Sequence, residues 1–87
     1  MKTRGSNDVD TGVVPRTLTK KALRSYFGLT YKRFRTKLIT DELRLKLGIT
    51  SSDQDKAIQE YDFHQTRILI QELDLSKEEL IEIGKFQ

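Results

Sequence analysis

A chain of 87 residues has room for one small core, and its 36% hydrophobic and 33% charged residues are typical of a soluble folded domain. The sequence has no cysteine, which excludes disulfide bridges and thiolate metal sites. It also lacks an apolar run near the roughly 18 residues of a membrane span and the apolar segment of a signal peptide. We therefore expect a cytoplasmic domain without a membrane segment.

Charge is divided unevenly along the chain. Residues 16–46 contain ten Lys or Arg but only two acids, whereas residues 47–87 contain nine acids and four Lys or Arg. The net charge of +3 is therefore the sum of +8 in residues 16–46 and −5 in residues 47–87. Local positive charge is what a phosphate-binding face needs, although a charge run on a helix is usually a solvated surface.

Residues 1–16 are predicted to form a flexible N-terminal arm, because they are rich in Gly, Asn and Asp and contain the single proline, Pro15. Two interpretations remain open: a tail without a role, or a segment that becomes ordered on a partner. Residues 17–87 are predicted to form the folded domain.

Two short helices are predicted at the start of this domain. Thr19 suits the N-cap of the first helix, and Gly28 suits the left-handed residue that ends it. Thr30 then caps the second helix after a linker of about three residues, which is short enough for a tight corner. The positions with apolar helical spacing are Ala22, Leu23, Tyr26 and Phe27 in the first helix and Phe34 and Leu38 in the second.

The next segments are less regular. Thr40 is a plausible cap for a short third helix, which Gly48 would end. Residues 50–59 are polar and are predicted to form a loop or a small wing. Asp62 with Gln65 and Ser76 with Glu79 have the spacing of capping boxes, which predicts two further helices.

The predicted fold class is therefore all-α, a small domain of four to five short helices with or without a wing. The last helix offers apolar side chains that are candidates for a homodimer face. These side chains are Leu80, Ile83 and Phe86.

The segment from residue 18 to 38 resembles the helix-turn-helix superfamily, most nearly the small MerR-like and excisionase-like DNA-binding proteins. Gly28 matches the turn glycine of that motif. The matching apolar positions are Leu23, Phe27, Leu29 and Phe34. The chain departs from the motif at Arg24, where the family prefers a small residue, and at Lys37, where an apolar residue is expected and Leu38 follows one place later. The register of the second helix therefore stays open.

The resemblance implies that the second helix is a recognition helix in the major groove of double-stranded DNA. Arginine can bond guanine O6 and N7 together, and threonine methyls can contact the thymine methyl. The candidates for base contact are Thr30, Tyr31, Lys32, Arg35 and Thr36. The candidates for phosphate contact are Arg16, Lys20, Lys21, Arg33 and Lys37.

We therefore predict sequence-specific DNA binding by a transcriptional regulator or an excisionase-like factor of a phage or mobile element. No cofactor, metal or small-molecule substrate is expected, since His64 is the single histidine and catalytic motifs are missing from the sequence. An enzyme is not expected. The alternative is a protein-interaction or structural adaptor of a phage or larger assembly, in which the arm and the last helix would dock on partners.

Overall fold

Six helical elements make up most of residues 14–87, the part of the chain that this computed structural model describes. They are α1 (Lys20–Phe27), α2 (Tyr31–Arg33, continued by a π-helical turn over Phe34–Leu38), α3 (Asp41–Lys46), α4 (Ser52–Ala57), α5 (Phe63–Glu72) and α6 (Lys77–Gly84). Within these residues the β-structure is limited to one antiparallel bridge between Thr19 and Glu60. The all-α class is confirmed. Most of the predicted arm, residues 1–13, lies outside the described part.

No helix within residues 14–87 has the length and apolar character needed to cross a membrane.

The N-cap side chains predicted from the sequence are in place at five helix starts. Each side-chain oxygen accepts a hydrogen bond from the backbone N–H three residues later, at 2.7–3.3 Å. At the starts of α5 and α6 the side chain three residues on also bonds back to the N–H of the cap, which completes both predicted capping boxes. The five caps are Thr19, Thr30, Thr40, Asp62 and Ser76.

The prediction of a loop or wing over residues 50–59 is wrong, because this stretch contains α4. The Ser51 hydroxyl caps α4 by accepting a bond from the Gln54 N–H at 3.1 Å. The Gln54 side chain in turn accepts a bond from the Thr50 N–H at 2.7 Å. The sequence conceals this helix because its one buried side chain is Asp55, so it has no apolar periodicity.

The end of α2 is widened by its π-helical turn. The Ile39 N–H bonds to the Phe34 carbonyl oxygen at 2.9 Å, five residues back instead of four. The turn therefore holds one additional residue, so that Leu38 packs against the core and Ile39 is buried in it. Lys37 stays exposed. The apolar side chain that the helix-turn-helix pattern expects at Lys37 is thus supplied one and two places later.

One hydrophobic core receives buried side chains from every helix except α4. α6 packs against α1, and Leu80 and Ile83 are 6% and 0% exposed as a result. This corrects the predicted dimer face, because those two side chains are used inside the molecule. Phe86 is 47% exposed and remains at the surface.

A buried ion pair joins α1 to α4. Lys20 Nζ lies 3.1 Å from Asp55 Oδ1 and also donates to the Asp55 carbonyl oxygen. Backbone hydrogen bonds connect the same two regions, from the Lys20 N–H to the Gln59 carbonyl at 3.0 Å and from the Tyr61 N–H to the Leu18 carbonyl at 2.9 Å. The prediction that Lys20 contacts a DNA phosphate is corrected, because its ammonium group is committed to Asp55 in the interior.

Replacing Lys20→Ala should lower the free energy of unfolding by about 3–5 kcal/mol, because the Asp55 carboxylate would stay buried without its close cation. Lys21→Ala is the matched control, since Lys21 is the next residue in α1 and is exposed; its effect should stay within about 0.5 kcal/mol. Urea unfolding followed by circular dichroism measures both. Equal effects of the two substitutions would contradict the assigned role of Lys20.

Tyr61 is fully buried, and its hydroxyl has no hydrogen-bond partner among the described residues. Burial raises the pKa of Tyr61 above its ordinary value of 10.0; the Asp55 carboxylate adds to this shift, and the Arg44 guanidinium opposes it. The folded protein therefore keeps this phenol neutral at a pH where the unfolded chain would lose the proton.

Stability should consequently fall as the pH rises above about 10, since the unfolded state then binds fewer protons than the folded state. Tyr61→Phe removes this effect and also removes a buried hydroxyl without a partner. We expect the free energy of unfolding of the variant at neutral pH to equal that of the natural chain or to exceed it by up to about 1–3 kcal/mol. This difference should widen at alkaline pH.

Urea unfolding at neutral and alkaline pH measures this difference, with Tyr31→Phe as the control for loss of an exposed phenol. A constant difference between Tyr61→Phe and the natural chain at all pH values would show that Tyr61 does not titrate in this way.

Candidate nucleic-acid interface

The turn between α1 and α2 has the backbone conformation expected of Gly28. This residue has φ 66° and ψ 38°, in the left-handed region, and the following Leu29 N–H bonds to the Arg24 carbonyl at 2.9 Å. A Cβ added at Gly28 would meet no atom within 4 Å. Glycine is therefore favoured here by the left-handed backbone conformation and not by a lack of space for a side chain. Three residues, Gly28 to Thr30, separate the helices.

The exposed cations of this region lie mainly on α2. Lys32, Arg33 and Lys37 are exposed, as is Lys21 on α1 and Arg16 just before it. Within the described residues, none of the five lies within 4.0 Å of a carboxylate. Their positive charge is therefore directed to solvent, and no carboxylate among residues 14–87 pairs with it.

The hydroxyl groups of the two threonines predicted to contact bases form hydrogen bonds with the backbone. Thr30 Oγ1 accepts a bond from the Arg33 N–H at 3.2 Å as the cap of α2. Thr36 Oγ1 donates to the Lys32 carbonyl oxygen at 2.9 Å, one turn back. Both residues are exposed, so their methyl groups are accessible for a new contact.

Two arginines lie near the ring of Tyr31. The guanidinium carbons of Arg24 and Arg35 lie 5.7 and 5.8 Å from the centre of its ring, which is within the range of a cation–π contact. Tyr31 is 41% exposed. Arg24, at the position where the helix-turn-helix motif prefers a small residue, is half-buried, and its side chain reaches the Tyr31 ring of α2.

Arg35 also faces the buried Asp55. Its Nε lies 3.9 Å from Asp55 Oδ2, which is an ion-pair distance but too long for a hydrogen bond. This Nε is inaccessible to solvent and has no hydrogen-bond partner among the described residues. The side chain as a whole is 38% exposed, so Arg35 is held at the boundary between the core and the surface.

Two other members of the basic block have structural roles. Arg44 Nη1 donates to the carbonyl oxygens of Ile39, at 2.6 Å, and Arg35, at 3.2 Å, and Arg44 Nη2 pairs with Asp41. Arg44 therefore satisfies carbonyl groups near the end of α2. Lys46 binds Glu72 of α5 at 2.8 Å, and this bond raises the pKa of Lys46. The free basic surface is thus narrower than the sequence suggests.

A cleft of about 310 Å³ lies beside Arg35, between α2, α3 and α4. Its four charged side chains are already paired, Arg35 and Asp55 with each other and Arg44 with Asp41. In residues 14–87 no three His, Cys, Asp or Glu side chains come together in a way that could hold a metal ion. The cleft is lined by Arg35, Asp41, Arg44, Leu45, Ile49, Thr50, Ser51, Ser52 and Asp55.

Sequence reasoning missed the contributions of Arg24 and Asp55 to this surface. A signal existed for the contact between Tyr31 and Arg35, which are four residues apart on one helix. Arg24 reaches Tyr31 only through the turn, and Asp55 reaches Arg35 only through the tertiary fold, so neither contact has a local pattern.

Comparison with models of protein families, with curated proteins and with solved structures gives no match in any of the three. The resemblance to helix-turn-helix proteins therefore depends on the residues of this chain alone.

Proposed function

We propose that this protein binds double-stranded DNA in a sequence-specific manner, with α1 and α2 as a helix-turn-helix and α2 in the major groove. The observation that carries the proposal is the set of exposed cations on α2, Lys32, Arg33 and Lys37, which have no carboxylate partner among the described residues. Uncompensated cations on one short helix are suited to a polyanion, because each phosphate contact releases a condensed counterion.

The α2 side chains divide into two groups in this proposal. Arg33 and Lys37 are four residues apart and both exposed, so they are assigned to phosphates together with Lys21 and Arg16. Lys32 and Arg35 are assigned to base edges, where the Arg35 guanidinium would bond guanine O6 and N7.

The remaining members of the base-contacting set contribute apolar contact. The methyl groups of Thr30 and Thr36 are suited to the thymine methyl, since both side chains are exposed. Tyr31 presents the exposed part of its ring beside Arg35.

The proposed role is that of a transcriptional regulator or an excisionase-like factor that acts by occupying or bending its site, without a cofactor or a chemical step. A module of this size buries a limited DNA surface and gains affinity when a second copy binds beside it. With Leu80 and Ile83 in the core, a homodimer through the last helix would have to use Phe86 and its neighbours.

The competing proposal is a protein-interaction adaptor. It is favoured by two exposed apolar side chains outside α1 and α2, Leu45 at 65% and Phe63 at 58% exposure. An adaptor would meet an acidic protein through its basic surface and would not prefer duplex DNA.

Fluorescence anisotropy with labelled random-sequence duplex DNA at several salt concentrations tests the DNA proposal. We expect a dissociation constant on the order of micromolar at low salt that weakens steeply with added salt. The double variant Arg33→Ala/Lys37→Ala should bind more weakly, and its slope of log K against log salt should be smaller by about two, since about 0.9 is lost per phosphate contact.

The matched control is Arg67→Ala/Lys77→Ala, which also removes one arginine and one lysine from exposed helix positions. It should retain the salt slope of the natural chain. Equal losses in the two double variants would indicate attraction by net charge alone, and absence of binding at low salt would favour the adaptor.

A further inference from the structure

We infer that Asp55 is a positioning residue that orients Arg35 for reading a base, and this inference rests on the proposed DNA-binding function. Asp55 does not touch DNA in this arrangement, since it is 4% exposed. It acts through Arg35, the α2 side chain that lies against it.

The two carboxylate oxygens of Asp55 serve two different cations. Oδ1 lies 3.1 Å from the buried ammonium group of Lys20. Oδ2 lies 3.9 Å from Arg35 Nε. Lys20 fixes the carboxylate from α1, so the oxygen that faces Arg35 is held in a defined position relative to α2.

Tyr31 contacts the guanidinium of the same arginine, whose central carbon lies 5.8 Å from the centre of the ring. The Nε of Arg35 is inaccessible to solvent, and so the exposed 38% of the side chain must come from its other atoms. Bidentate recognition of guanine O6 and N7 needs an arginine whose planar group is already oriented, because a free side chain loses rotamer freedom on binding.

The charge of Asp55 separates Arg35 from the other arginine that is exposed on α2. Arg33 has no carboxylate within 4.0 Å in the described residues and attracts a phosphate at full strength. Arg35 Nε lies 3.9 Å from Asp55 Oδ2 and is inaccessible to solvent, so this arginine is already restrained by a carboxylate, while its exposed donors stay able to bind the neutral acceptors of a base. The proximity of Asp55 to Arg35 alone therefore favours contact of Arg35 with a base and contact of Arg33 with a phosphate.

The experiment is selection of binding sites from a random duplex pool, followed by affinity measurement on each single-base variant of the selected site. For the natural chain we expect one position with a preference for guanine of roughly 5- to 150-fold. Arg35→Ala should abolish that preference. Asp55→Asn should reduce it by about three- to tenfold at the same position, while binding to random DNA is retained.

Asp53→Asn is the matched control, because it makes the same charge change on an exposed residue of the same helix. It should leave the guanine preference intact. A second test variant, Lys20→Met/Asp55→Leu, replaces the buried ion pair by apolar side chains without changing the net charge, an exchange that proteins often tolerate. It should lose the preference as Asp55→Asn does and keep the affinity for random DNA.

A double-mutant cycle separates positioning from a merely structural role. In an Arg35→Ala background, Asp55→Asn should have no further effect on base preference or affinity beyond that of Asp53→Asn. If Asp55→Asn weakens binding equally in both backgrounds, or leaves the guanine preference unchanged, the inference is overturned while DNA binding stands. If the natural chain binds DNA without any guanine preference, the inference is also overturned; if it does not bind DNA, the proposed function fails as well.

Discussion

The ion pair between Lys20 and Asp55 fixes the position of the helices that carry it, because two charges that are buried away from water are tolerated only while they remain paired. Keeping them together holds α4 against the start of α1, and the backbone bonds from Lys20 to Gln59 and from Tyr61 to Leu18 run through the same junction. α4 has no buried apolar side chain of its own. A polar helix is therefore fixed beside α2 by an ionic contact, while the other helices are fixed by the core.

The parts of the fold that follow from the sequence are those in which each group is satisfied within a few residues. Thr19 reaches the amide of Ala22, and Asp62 and Gln65 bond each other's backbone, so spacing along the chain was enough to predict where these helices begin. Gly28 belongs to the same class, since the left-handed conformation it adopts is a property of the single residue. The exposed positions of Lys32, Arg33 and Lys37 were also predictable, because they flank the inward Phe34.

What the sequence could not provide are contacts between distant segments. Lys20 and Lys21 are adjacent and identical in type, yet one is buried and the other exposed, and the difference comes from Asp55, 35 residues further on. A separation of 20 residues likewise hid the contact between Arg35 and Asp55. The positive charge of the candidate surface could therefore be predicted from the sequence. That Arg35 is restrained by Asp55 while Arg33 is not could be seen only in the tertiary structure.

The π-helical turn has a consequence for how chains of this kind are compared. Ile39 bonds to Phe34 across one residue more than an α-helical turn contains. A chain with one residue fewer between these two positions could make the ordinary α-helical bond and bury the same pair of side chains. Such a chain would share the core but differ in length within its second helix, and an alignment without a gap there would set Lys37 against an apolar position.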